Sequence, residues 1–176
     1  YLIATDLQLA KLARDVTNGT TYNGQFFKLS EDIQLNAGYW IPIGNLANKS
    51  AINFQGTLEG DGKTISDMTI RWNVLSTSSE LCYGLFSSLY TNAKVRNLVI
   101  DNADVCNSPG SEGAKVGQAR TLGILAGSIK SGTSIENIII KNSNIYFSEA
   151  IVQNGKWFGI GGLAGKILDN NDNYTL

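Results

Sequence analysis

Apolar and polar positions alternate along this chain in short runs that break step at fixed places, and the breaks recur forty residues apart. Val95, Leu98, Ile100 and Val105 are the apolar positions of one run, and Ile135, Ile138, Ile140 and Ile145 those of the next. A spacing of two, from Leu98 to Ile100 and from Ile138 to Ile140, is strand alternation, in which successive side chains point to opposite faces. The spacing then widens to three between Val95 and Leu98 and to five between Ile100 and Val105. A strand that keeps its apolar residues inward across such a break has to bend there. Asn stands at both breaks in both runs: Asn97 and Asn137 at the first, Asn102 and Asn142 at the second. Asn tolerates left-handed backbone and caps turns with its own amide. Each run therefore predicts short strands joined by Asn bends.

The repetition extends beyond these strands. Gly84-Leu85 returns as Ile124-Leu125, and Gly123-Ile124-Leu125-Ala126-Gly127-Ser128-Ile129 returns as Gly161-Gly162-Leu163-Ala164-Gly165-Lys166-Ile167. An earlier stretch, Ile65-Ser66-Asp67-Met68-Thr69-Ile70, has the same grammar with Asp67 in the place of Asn97, and Asp32-Ile33-Gln34-Leu35 reads as a shorter relative. A near-constant period of this size means stacked units, each too small to bury an apolar face alone. Stacking sets equivalent residues ~4.8 Å apart in parallel register, so Asn97 over Asn137 and Asn102 over Asn142 are expected to form amide ladders. Leu85, Leu125 and Leu163 are expected in one interior row, with Leu98 and Ile138 in another. A Greek-key sandwich has no such in-register repetition. The fold class is all-β, a parallel β-helix (solenoid) with a short N-terminal capping α-helix.

That helix is predicted from Thr5-Asp6-Leu7-Gln8, a capping-box pattern, followed by a stripe of Leu9, Leu12, Ala13 and Val16 that ends at Asn18-Gly19. It is expected to cover the strand edges and apolar interior of the first coil. The chain reads as a single domain, 1–176, with a helical cap and leader over 1–53 and repeat coils over 54–176. Segments 73–82 and 106–121 are polar, Ser- and Gly-containing interruptions, expected as variable loops. The third copy lies 38 residues after the second, so the counterpart of Ile138 falls at Leu176. The last coil is then incomplete, and the chain is expected to continue past Leu176 or to have that end covered by another molecule.

Composition narrows the functional classes. With 43% hydrophobic residues in 176 the chain supports a core, and a net charge of −1 leaves no basic footprint for nucleic acid. No apolar run is long enough to span a bilayer. The absence of His removes Ser-His-Asp triads, Cys-His nucleophiles and His-based zinc sites together. Cys82 and Cys106 bracket the first clear repeat and admit either one bridge or two buried free thiols.

At this level of detail the chain resembles the GLUG-motif repeat family. The segments Tyr83-Gly84-Leu85-Phe86, Gly123-Ile124-Leu125-Ala126-Gly127 and Gly161-Gly162-Leu163-Ala164-Gly165 carry the resemblance, the first two followed by an Ile/Val-x-Asn-Leu/Ile strand. The leader is similar too, through Tyr22-Asn23-Gly24-Gln25-Phe26-Phe27, Trp40-Ile41-Pro42-Ile43-Gly44 and Phe54-Gln55-Gly56-Thr57-Leu58-Glu59-Gly60-Asp61-Gly62. The resemblance implies a right-handed β-helix and a bacterial secreted or surface-attached protein of adhesin type. It carries over no catalytic residue. One departure is Ser87, standing where later copies have Gly127 and Gly165, which puts the tight packing of the first copy in doubt.

Candidate chemistry is sparse. Glu59-Gly60-Asp61-Gly62-Lys63 sets two acids beside a base, as a polysaccharide lyase or hydrolase needs. Its glycines mark a tight turn whose acids are expected to face solvent, and no catalytic role is assigned. Asp101 and Lys141 are expected to be ladder neighbours. Asp169-Asn170-Asn171-Asp172-Asn173 is oxygen-rich, but Tyr174 stands where a calcium loop has Gly and no closing Glu follows, so it reads as a solvated loop. No metal or other cofactor is expected. The functional lead is aromatic: Trp72, Trp157, Tyr146 and Phe158 stand beside loops, where flat rings grip sugars and partner proteins. The competing reading is that these rings cover loop bases; Trp40, in the leader motif, reads as core. The expected role is a non-catalytic binding or adhesion module whose partners are a host glycan, a protein or adjacent domains; the alternatives are a polysaccharide lyase or hydrolase on the same scaffold, or a purely structural spacer.

Overall fold

A computed structural model of the protein describes residues 1–44, 53–71, 80–107, 119–147 and 158–169. The described residues form strands and one α-helix, and every strand pairing among them is parallel. The strands fall into successive tiers. The first holds β1 (Leu2–Ile3), α1 (Asp6–Thr17), β2 (Phe26–Leu29) and β3 (Ile33–Gln34). The second holds β4 (Thr57–Glu59), β5 (Thr64–Ser66), β6 (Thr69–Arg71), β7 (Glu80–Tyr83) and β8 (Phe86–Leu89). In the third are β9 (Lys94–Asp101), β10 (Asp104–Asn107), β11 (Ala119–Gly123) and β12 (Ala126–Lys130). The fourth repeats them as β13 (Ser134–Lys141), β14 (Asn144–Phe147), β15 (Phe158–Gly161) and β16 (Ala164–Leu168).

Each tier pairs in register with the next, giving three-stranded sheets β6-β10-β14, β7-β11-β15 and β8-β12-β16. A seven-stranded sheet is organised around β9, which pairs β13 along its length, β4 with its first half and β5 with its second. The division falls at Asn97, where β9 bends. Asn97, Asn137, Asn102 and Asn142 all have φ between 50° and 53°, the left-handed region. The parity breaks are therefore backbone bends, made where Asn bears a positive φ at small cost.

Inward rows follow the register. Phe27, Leu58 and Val95 stack in one row and Ile33, Ile65 and Ile100 in another, all buried. Aromatic rings continue the core through Tyr1, Phe27, Phe54 and Phe86, with centroid separations of 4.9, 6.0 and 5.3 Å. The expected Leu row holds for two tiers only. Leu85 and Leu125 are 0% exposed, whereas Leu163 is 38% exposed and Ile138, beside buried Leu98, is half-buried. Among the described residues no further tier lies over the fourth.

The helix forms where expected and buries Leu9, Leu12, Ala13 and Val16. Thr5 caps it, accepting from Gln8 N–H at 3.2 Å, while Gln8 Oε1 accepts from Ala4 N–H at 2.6 Å, one residue earlier than a reciprocal capping box.

Glycines set the closest approach between neighbouring strands. A Cβ on Gly127 would lie 2.4 Å from Tyr83 N, and one on Gly165 would lie 2.6 Å from Leu122 N. Both contacts are with the backbone of the preceding tier, β7 and β11, which cannot yield as a side chain would. Ser87 pairs in the position of Gly127 and is nonetheless fully buried. The leader explains it: Trp40 N donates to Thr69 O at 2.7 Å and Ile43 already bridges Phe86, so only two residues cross the span that β7 occupies in the next tier. The Ser87 hydroxyl is held there by Ile43 O at 3.3 Å, to which it donates.

Candidate functional site

The parallel register brings together the strand ends from which the long connections depart. Arg71 of β6 pairs Cys106 of β10, and Asn107 pairs Phe147 of β14. The returning strands β7, β11 and β15 are likewise neighbours. The strands that precede segments 72–79, 108–118 and 148–157 thus lie in one sheet, and the strands that follow them lie in another. Trp72 and Trp157 lie in these segments, outside the described residues.

Tyr146 lies on β14 in the row Arg71–Cys106–Tyr146 and is 43% exposed. Its phenol is pushed above its usual value, first by a hydrogen bond with Cys106 and then by the negative charge of Asp104. Arg71 ion-pairs with the Asp104 carboxylate and donates from Nη1 to Asp104 O at 3.1 Å. Phe158 opens β15, opposite Arg120. The structure settles the cysteine alternatives: Cys82 and Cys106 form no disulfide and are buried on different sheets, and Thr121 Oγ1 donates to Cys82 Sγ at 3.1 Å.

The acid-rich turn differs from expectation in one residue. Asp61 is half-exposed and pairs with Lys28 at 2.9 Å, but Glu59 is buried beneath the ladder. Glu59 Oε1 accepts from Asn97 Nδ2 at 2.9 Å and from Asp61 N–H at 2.9 Å, and Oε2 accepts from Arg96 Nε at 2.6 Å. Burial raises its pKa, the donors from Asn97, Asp61 and Arg96 lower it, and the donors win: Glu59 is held below the usual carboxylate range. Gly60 is required below it, since a Cβ there would lie 2.3 Å from Asn97 O. This carboxylate is committed to structure.

The Asn ladders also divide. Asn137 Nδ2 donates to Asn97 Oδ1 at 2.9 Å, amide to amide. Asn142 Nδ2 instead donates to Asp101 Oδ1 at 2.9 Å, and Asn102 Nδ2 donates to Asp67 Oδ1 at 2.6 Å. Asp67 therefore occupies the Asn102 position of its tier, not the Asn97 position; the register Ser66 to Asp101 requires it. Lys141 pairs with Asp101 at 3.3 Å.

Sequence reasoning missed a cleft of about 360 Å³ beside α1, lined by Ala10, Ala13, Arg14, Thr17, Tyr39, Trp40 and Ile41. Trp40 is buried as expected and donates from Nε1 to Leu85 O at 3.1 Å, while Tyr39 and Ile41 are exposed. The available signal was the pair of small residues Ala10 and Ala13 on the helix face turned toward Tyr39-Trp40-Ile41. Among the described residues no group of His, Cys, Asp or Glu could hold a metal ion, and no helix is long and apolar enough to cross a membrane.

The fold and its surface define an all-β protein of tiered parallel strands, carrying ion-pair and amide rungs outside and apolar rows inside. In sequence, the chain is 28% identical over 142 residues to Halomucin of Haloquadratum walsbyi (strain DSM 16790 / HBSQ001). The match takes in 73% of this chain and spans about 1% of that protein's length. No family model and no solved structure matches the chain.

Proposed function

We propose that this chain is a right-handed parallel β-helix of the GLUG-repeat type, serving as a non-catalytic binding or adhesion module of a secreted or bacterial surface protein. The observation that carries this reading is the common origin of segments 72–79, 108–118 and 148–157 at neighbouring strand ends. Trp72 and Trp157 lie within these segments, outside the described residues, and Tyr146 and Phe158 lie in the strands flanking the last. Aromatic faces on such a surface suit a glycan or a protein partner. Similarity to a protein named Halomucin supports a place at the cell surface or outside it. The non-catalytic reading draws on the acids themselves: Glu59, Asp61, Asp101 and Asp104 each pair with a cation.

A glycan-array screen of the purified chain tests the binding role. The expected result is retention of one glycan class, abolished by Trp72→Ala with Trp157→Ala while circular dichroism and melting temperature stay unchanged. Undiminished binding by that variant would remove the aromatic site. Cleavage of an acidic polysaccharide by the purified chain, lost on Asp61→Asn, would replace the module with an enzyme. Small-angle scattering tests the solenoid: a rod-like particle is expected, and a near-spherical one counts against it.

A further inference from the structure

Three Asn-Gly steps punctuate the chain: Asn18-Gly19, Asn23-Gly24 and Asn154-Gly155, the last outside the described residues. Such a step is chemically labile. The main-chain nitrogen of the Gly can attack the carbonyl carbon of the Asn side chain, and glycine puts no side chain of its own in the way. In a folded chain the rate depends on whether that nitrogen is free. Its proton has to be given up in the attack, so a hydrogen bond from it holds the reaction back.

The two described steps differ at this atom. Gly19 N–H donates to Val16 O at 3.0 Å, at the end of α1. Gly62 N–H, which follows Asp61, is likewise used, donating to Asn97 O at 2.8 Å. Among the described residues Gly24 N–H and the Asn23 side-chain amide have no partner, and both residues are exposed. They are the central pair of a turn closed by Gln25 N–H on Tyr22 O at 3.0 Å, with Gly24 at φ 72°, the conformation that favours glycine at this position. The space beside Gly24 is open, since a Cβ there would meet nothing within 4 Å. The flanks of the turn are stitched to the next tier: Thr21 O accepts from Gln55 N–H at 2.9 Å, and Gln25 O accepts from Thr57 N–H at 2.8 Å.

We infer that Asn23-Gly24 is a self-modifying site, where the folded chain deamidates and its main chain isomerises. Gly24 N bonds to Asn23 Cγ and loses its proton, and the bond from Cγ to the side-chain nitrogen breaks, releasing ammonia. Water then opens the cyclic imide. Attack at Cγ gives aspartate; attack at the main-chain carbonyl carbon of Asn23 gives isoaspartate, whose chain runs through the former side chain. One water is consumed and one ammonia released, with no oxidant or cofactor. Either product adds one negative charge. Isoaspartate also inserts one carbon into the main chain between Tyr22 and Gln25, so the Thr21 and Gln25 carbonyls lose their joint fit to Gln55 and Thr57. The site is independent of the binding role proposed above.

The experiment ages the full chain in mildly alkaline buffer, parts the two steps by chymotryptic cleavage after Tyr22, and follows each by mass spectrometry. Asn23 should gain one mass unit at least about fivefold faster than Asn18, the difference that one retained hydrogen bond makes. Ageing in urea is the control: with the Gly19 bond gone, the two rates should converge. Equal rates in the folded chain, a ratio that survives in urea, or an Asn23 that reacts only when unfolded would each overturn the inference. Hydrogen exchange at Gln55 and Thr57 should be faster in the isoaspartate fraction, whereas Asn23→Asp, which adds the charge without the extra main-chain carbon, should keep their protection. Unchanged protection in the isoaspartate fraction, or equal loss in Asn23→Asp, would overturn the link from isomerisation to the tier pairing.

Discussion

Leu125 and Leu163 occupy the same rung of the same repeat, yet the first is buried completely and the second is 38% exposed. The pairs Leu98 and Ile138, and Ile100 and Ile140, differ in the same direction. At the leader end, α1 and the Tyr1–Phe27–Phe54–Phe86 aromatic string close over the rows; at the β13–β16 end, no further strand covers them among the described residues. A repeat thus fixes where a side chain points, and its neighbours along the stack fix what that direction is worth.

The sharpest way to break this comparison is through the glycines. Gly127→Val drives a side chain into the β7 backbone and should cost about 4 kcal/mol or more, enough to unfold the chain. At the equivalent Ser87, substitution by Ala removes one hydroxyl hydrogen bond and should cost about 1 kcal/mol. Urea unfolding measures both, and equal costs would refute the difference drawn between the two positions. Next in size, Leu125→Ala should cost about 2–5 kcal/mol and Leu163→Ala about 1 kcal/mol, because only the first leaves a closed cavity. Ile138→Ala belongs nearer the second value than the first.

Glu59 offers a contrast in acid. Its folded-state pKa is depressed, so its stabilising contribution is full above the unfolded value of about 4.3 and is lost as pH falls through the folded value. Glu59→Gln should flatten the pH dependence of stability in that acid window and cost about 1–3 kcal/mol at neutral pH, where Arg96 and Asn97 lose a charged acceptor. Melting curves between pH 3 and 7 (roughly the range in which carboxylates titrate) decide it, and an unchanged slope would contradict the assigned hydrogen bonds. Smallest of all is Glu136→Ala at an exposed position of β13, which should leave the melting temperature unchanged.

Much of the local structure was legible. The positions of the bends, their Asn residues, the helix with its buried stripe and the parallel register all follow from spacing, because period and left-handed tolerance are properties of short segments. Less of the candidate site was. Asp67 aligns with Asn102 because the second tier carries two extra residues at the Gly60–Lys63 turn, and a motif compared by eye does not reveal where an insertion is absorbed. Glu59 read as a solvent-facing acid because its burial depends on Arg96 and Asn97, which lie in the next tier.

By itself, the sequence determined the period, the inward and outward faces and the places where the backbone turns, since each depends on residues within a few positions of one another. Tertiary structure alone decided that Ser87 stands buried where the next tier has a glycine, that the two thiols lie apart, and that Asn142 bonds Asp101 rather than Asn102. Each of these depends on what lies in the adjacent tier, some forty residues away along the chain but one strand spacing away in space, about 4.8 Å.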